Sequence, residues 1–239
     1  FLKKNIRVIQ NFSIITYCSE FEHIINLMYT LVKFMKKLIL FDFDGVLFNS
    51  KRNMEISWQA VMKKYSLKKN FFQYSSHLGL PFRKILKNLG IYKNHKKIED
   101  FYQKNSIKHF DKIKPYPGVI KSLNNPRNKI FFYGIWTSKH HLRVNKLLKK
   151  YNLNFKVILT PEKGVKGKPH PDQVKKCLKS FKMSNKDVFY VGDMDIDRIA
   201  ASNAKINFIY ASYGFGKLKK INKKVTKIKK FENIFKTIN

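Results

Sequence analysis

The chain has 239 residues, room for one large domain or a domain with an insert at about 100–200 residues per domain, and too many for a minimal binding motif. With 44% apolar and 15% aromatic residues against 27% charged, it can bury a substantial core, which excludes wholesale disorder. Its 50 basic and 15 acidic residues leave a formal charge of +35 that would hold polyanions non-specifically. Nearly all of the bases are Lys, beside abundant Asn, Ile and Phe, which is the composition an AT-rich genome writes on any surface. The charge is therefore expected to serve no specific nucleic acid.

Residues 1–34 open with Lys3, Lys4 and Arg7 before a patchy apolar stretch that Glu20, Glu22 and His23 interrupt. No run attains the roughly 18 apolar residues of a membrane span, so no membrane partner is expected. Met35-Lys36-Lys37 stands directly before a buried-strand pattern. Met35 is expected to be the biological start, and residues 1–34 an extension that need not be native.

From there, short apolar runs alternate with helix-period segments, the pattern of βα units and a parallel sheet. The runs at 38–43, 130–136, 155–159, 188–191 and 208–210 are continuous, as strands covered on both faces should be. Helices are expected at 142–151, at 171–181 with Val174, Cys177, Leu178 and Phe181 on one face, and at 196–204. Between the first two strands lie about ninety residues that read as helical throughout, too long for a simple crossover. Trp58, Val61, Met62 and Tyr65 form one stripe; Phe82, Ile85, Leu86 and Leu89 form another that stops at Gly90; Ile98, Phe101 and Tyr102 begin a third. Pro115-Tyr116-Pro117-Gly118 marks the exit from this insert. In the Lys-rich stretch 217–230 and just beyond it, Val225, Ile228, Phe231, Ile234 and Phe235 recur regularly, predicting a last strand and a closing helix with solvated lysines. Cys18 and Cys177 are far apart and no Cys/His cluster exists, which fits a reducing cytoplasm. His140 and His141 are expected on different sides of their helix, as surface residues.

In an open parallel sheet the reactive groups collect just beyond the carboxyl ends of the strands. Those ends are chemically loaded here. The first carries Asp42-Phe43-Asp44-Gly45, the second Thr137-Ser138, the fourth Gly192-Asp193 with Asp197 four residues on, and the loop after the third Lys168-Pro169. Carboxylates gathered this closely repel one another unless a cation sits among them, and hard oxygen ligands select Mg²⁺. Such a site can bring a phosphate beside an Asp nucleophile, with Lys168 and Mg²⁺ cancelling the repulsion and Thr137 holding phosphoryl oxygens. Asp44, two residues on, could then serve as acid and base. Any one of these motifs is weak evidence, since Asp-Gly is a common turn and Asp193 to Asp197 could merely cap a helix; the ordered set is not.

Asp42-Phe43-Asp44-Gly45-Val46-Leu47-Phe48-Asn49-Ser50, Thr137, Lys168-Pro169 and Gly192-Asp193 to Asp197 resemble the four motifs of the haloacid dehalogenase-like hydrolase superfamily. Within it, the phosphoglycolate phosphatase-like branch is most similar. The resemblance covers roughly residues 36–239 and implies an α/β fold, a Rossmann-like parallel sheet core (35–52 and 115–239) with an inserted helical cap (53–114). It implies Asp42 as nucleophile and metal ligand, Asp44 as general acid/base with its backbone carbonyl on Mg²⁺, Asp193 as a further ligand and Asp197 in support of the metal. Thr137 and Lys168 complete the catalytic set, and Gly45, Ser138 and Arg83, which follows Gly79-Leu80-Pro81, are expected to meet the substrate, a small phosphorylated metabolite.

Asp44 speaks against true dehalogenases, which lack that second Asp, and against the phosphonatase branch, which has a small residue there. A sugar phosphomutase of the same superfamily usually shows a His at the hinge into the cap; Asn53-Met54-Glu55-Ile56-Ser57-Trp58 has none. The rival from another class, a basic nucleic-acid-binding protein on a vestigial hydrolase fold, would rest on charge alone.

Overall fold

The computed structural model describes residues 37–218 and 225–238. The expected start at Met35, the extension before it and Cys18 lie outside them.

Strand β1 (Leu38–Phe41) is fully buried along its length, and each such side chain contributes about 1.5–3 kcal/mol by leaving water. Ile39 and Phe41 face one core cluster while Leu38 and Leu40 face another, the alternation of a strand covered on both sides. After β1 the chain forms β2 (Phe48–Asn49) and four helices: α1 (Lys51–Tyr65), α2 (Phe71–Ser75), α3 (Phe82–Asn88) and α4 (His95–Lys108). It returns through β3 (Lys114–Pro115), antiparallel to β2, so a two-stranded ribbon marks where the helical insert leaves the sheet and rejoins it.

The remaining elements are α5 (Val119–Leu123), β4 (Phe132–Trp136), α6 (His141–Lys150), β5 (Val157–Leu159), α7 (Asp172–Phe181), β6 (Val188–Gly192), α8 (Asp195–Ala204), β7 (Asn207–Ala211), β8 (Thr226–Ile228) and α9 (Asn233–Ile238). Among the described residues the sheet has six parallel strands in the order β5-β4-β1-β6-β7-β8. The expected strands, the late strand and the closing helix are all present, with ends displaced by a residue or two. Helices α5, α6 and α9 supply the cluster on one face and α7 and α8 that on the other. The expected stripe on α7 holds: Val174, Cys177 and Leu178 are buried and Phe181 packs beside them.

The insert has its own core. Met54, Trp58 and Val61 recur at helical spacing on α1 and meet Tyr74, Leu78, Ile85, Leu86, Ile98 and Tyr102. Trp58 stacks on Tyr74 with centroids 4.4 Å apart, and its indole N–H donates to the Lys69 carbonyl at 2.6 Å. The insert is not helical throughout. Ser66, at φ 51°, ends α1, and only the five-residue α2 follows, closed at its start by a reciprocal Asn70/Gln73 capping box. The two histidines also differ from expectation: their rings stack at 4.4 Å, and His140 caps α6 by accepting from the Leu142 N–H at 3.4 Å.

Chain order reverses at β1, which has β4 on one side and β6 on the other, so the crevice above these three strand ends is where an open sheet binds its ligand. Asp42, Thr137 and Asp193 each follow the last residue of one of these strands.

Candidate active site

Asp42 is almost wholly buried, and its Oδ1 accepts from Lys168 Nζ at 2.9 Å. The same ammonium donates to Asp197 Oδ1 at 2.8 Å and to the Tyr190 hydroxyl at 2.8 Å, so its three protons are all engaged. Tyr190 passes a hydrogen bond on to Asp197 Oδ1 at 2.9 Å, and Asp197 Oδ2 accepts from the Met194 N–H at 3.1 Å. Burial works against the charge on Lys168, but the Asp197 and Asp42 carboxylates outweigh it and hold the ammonium above its usual range. For Asp42 burial wins: its carboxyl is pushed up to about 7, with Asp197 and Asp44 adding to the rise and Lys168 opposing it.

Asp193 is fully buried, and its Oδ2 accepts from the Gly216 N–H at 2.7 Å while its Oδ1 has no partner among the described residues. Burial, then Asp197 and Asp42, drive its carboxyl well above the ordinary range. Ligand atoms of Asp42, Asp193 and Asp197 all lie within 4.8 Å of one another. Three carboxylates so close, one with an orphaned oxygen, fit a hard divalent cation. Asp197 has both oxygens committed to Lys168, Tyr190 and Met194, which leaves Asp42 and Asp193 as the available pair.

Asp44 turns elsewhere: its Oδ1 accepts from Ser50 Oγ at 2.6 Å, and Lys139 Nζ bridges its two oxygens at 2.8 and 3.0 Å. Lys139 is buried, and that burial lowers its ammonium to about 8 against the pull of Asp44. The Lys139 backbone N–H donates to Thr137 Oγ1 at 3.1 Å.

Asp42, Asp44, Thr137, Ser138, Lys139 and Lys168 line one cavity of about 560 Å³, part of it open solvent, together with Arg143 from α6 and Tyr74, Phe82 and Tyr102 from the insert. Ser138 ties the two parts together by donating to the Gly79 carbonyl at 2.6 Å. Two expected contacts are not brought there. Arg83 is exposed and pairs with Glu99 at 3.3 Å, and Gly45 does not line the cavity. At φ +97°, Gly45 instead lets the turn after Asp44 pass beside Asp193, where any Cβ would run into that carboxylate. Asn53, at the hinge, donates to the Ser106 and His109 carbonyls at 2.8 and 2.9 Å and anchors α1 to the end of α4.

Lys139, Arg143, Tyr190 and the Gly214-Phe215-Gly216 loop were missed from sequence. Lys139 had a usable signal, since it directly follows Thr137-Ser138 at a strand end.

Residues 39–211 match the family described as haloacid dehalogenase-like hydrolase. Among curated proteins, the chain is 28% identical over 173 residues to the pyrophosphatase PpaX of Anoxybacillus flavithermus, covering 70% of this chain and 79% of that one. It is 25% identical over 186 residues to the phosphoglycolate phosphatase of Aquifex aeolicus, covering 76% and 87%. In fold it is similar to a haloacid dehalogenase-like family protein from Streptococcus pneumoniae, with TM-score 0.72, 16% identity and 86% of this chain against 99% of that one. A hydrolase from Pseudomonas syringae gives TM-score 0.72 at 18% identity, covering 84% and 97%.

Proposed function

The chain belongs to the haloacid dehalogenase-like hydrolases, and on that premise we propose a Mg²⁺-dependent phosphatase that hydrolyses a compact, phosphoglycolate-like phosphomonoester through an aspartyl phosphate on Asp42. The observation that carries this reading is the carboxylate cluster: Asp42, which lines the cavity and is anchored by Lys168, lies close to Asp193 with its orphaned oxygen. Asp42, Asp193 and the Asp44 backbone carbonyl would hold Mg²⁺, which when bound supplies the positive charge that lets a phosphate dianion approach a carboxylate.

The chain's own groups then divide the work. The Asp42 carboxylate attacks phosphorus, and the bond to the ester oxygen breaks. Lys168 fixes the orientation of Asp42 and adds charge through space, while the Thr137 hydroxyl is free to donate to a phosphoryl oxygen. The leaving oxygen takes a proton from the Asp44/Lys139 pair, whose members lie 2.8 Å apart. Asp44 next takes a proton from water, which attacks phosphorus and frees Asp42 and inorganic phosphate. The insert over the strand ends shields these steps from bulk water and limits the leaving group to what fits beneath it.

Asp42→Asn tests the reading. It should lose about a thousandfold or more of kcat on p-nitrophenyl phosphate while remaining folded, because an amide is a poor nucleophile and metal ligand. EDTA should silence the wild type, Mg²⁺ should restore it and Ca²⁺, with its looser coordination, should substitute badly. Substantial turnover by Asp42→Asn would overturn the covalent mechanism, and full turnover in EDTA the metal.

A further inference from the structure

Among the described residues that line the cavity, Arg143 is the cation that the mechanism leaves unused. It is the third residue of α6, retains only 8% exposure and lines the cavity. Its Nη1 donates to Ser106 Oγ on α4 at 3.1 Å, and its Cζ stands 5.8 Å from the centroid of Tyr102. Its Nε–H is buried and has no acceptor among the described residues. Among the described residues, the carboxylates lining the cavity are Asp42 and Asp44, and each already has an ammonium partner, Lys168 and Lys139 respectively.

A guanidinium held out of water without a counter-ion is costly, and an orphaned donor on it adds to that cost. An anion entering the cavity would cancel both. Thr137 and Lys168 belong to the transferred phosphoryl group and the Asp44/Lys139 pair to the leaving oxygen, so the group left for Arg143 is one farther along the leaving group. We infer that Arg143 is the counter-ion for a second anionic group of the substrate, either a carboxylate, as in 2-phosphoglycolate, or a second phosphoryl group, as in inorganic pyrophosphate. A planar fork with a free N–H matches both. The inference rests on the phosphatase reading and assigns to Arg143 the recognition expected from sequence of Arg83.

The test uses the full chain with Mg²⁺ and three substrates: 2-phosphoglycolate, inorganic pyrophosphate and ethyl phosphate, which shares the two-carbon leaving group of the first but lacks its carboxylate. In the wild type, kcat/KM for at least one of the two substrates that carry a second anionic group should exceed that for ethyl phosphate by about tenfold or more, and which one it is identifies the group. Arg143→Gln should reduce that ratio about tenfold, chiefly through KM. Arg143→Lys, which keeps the charge but loses the fork, should fall between. If the glutamine variant does not fold, the wild-type ratio and the lysine variant decide. Equal use of all three substrates, or a ratio unmoved by the substitutions, would overturn the inference and leave the phosphatase standing. No turnover of any ester or anhydride would overturn the phosphatase reading and this inference with it.

Discussion

Asp193 is held in place by backbone more than by side chains. The Gly216 N–H binds one of its oxygens, and a Cβ at Gly216 would sit 2.5 Å from the Asp193 backbone oxygen, too close for any carbon. Gly216→Ala should therefore displace the carboxylate without unfolding the sheet. The expected outcome is an increase of about 10- to 100-fold in the Mg²⁺ concentration needed for half-maximal activity, the usual size of effect when a metal ligand loses its support. An unchanged Mg²⁺ requirement would remove Gly216 from the site. This kind of support is poorly legible in sequence, because Gly214-Phe215-Gly216 follows no periodic pattern and its purpose is defined by Asp193, 23 positions before Gly216. Asp42 and Asp193 were legible for the opposite reason, since each directly follows a run of apolar strand residues. The two arginines show where such reading stops. Arg83 and Arg143 both border apolar helical stripes, and only packing decides that the first meets Glu99 outside and the second the cavity.

At the level of elements, the helical insert contributes walls rather than reacting groups. Trp58 is fully buried in its core and stacks on Tyr74, which itself lines the cavity. Trp58→Ala should cost about 3–5 kcal/mol in denaturant unfolding, the typical result of emptying a large aromatic site. Because Tyr74 loses its stacking partner, KM should rise more than kcat falls. A variant that loses stability with an unchanged KM would show that the insert's core and the cavity wall are independent. The stripes on α1, α3 and α4 were legible because period 3.6 repeats over several turns. Helix α2 was not, since five residues are too few for a period and its Asn70/Gln73 box leaves only a polar trace.

For the molecule as a whole, the parallel sheet could be read from five apolar runs, yet the order of its strands could not, because that order is set by which crossovers pack on which face. The +35 charge leads to a further expectation: if it is compositional, binding to duplex DNA should be weak, indifferent to sequence and abolished by moderate salt, and sequence-selective binding at physiological salt would revive the nucleic-acid alternative. The buried carboxylates make the last prediction, on stability. Without metal, burial raises Asp42 from 3.8 to about 7 and Asp193 well above its usual range, so the folded chain keeps protons that the unfolded chain has already released. The stability contributed by the Asp42 proton is complete below the unfolded value and is lost as pH rises through about 7; the metal-free protein should weaken over that interval. Mg²⁺ must displace these protons to bind, so it competes with them at acid pH and loses the Asp42 proton as a competitor as pH rises through about 7. At a hundredfold excess over its dissociation constant it should add about 2.7 kcal/mol, or roughly 5–10 °C in Tm for a chain of this size. At pH 8 thermal unfolding should show that full gain, and at pH 6, with the same Mg²⁺ concentration, less than half of it. Asp193→Asn should flatten the difference, and a wild-type gain equal at both pH values would mean that these carboxyls do not exchange their protons for the metal.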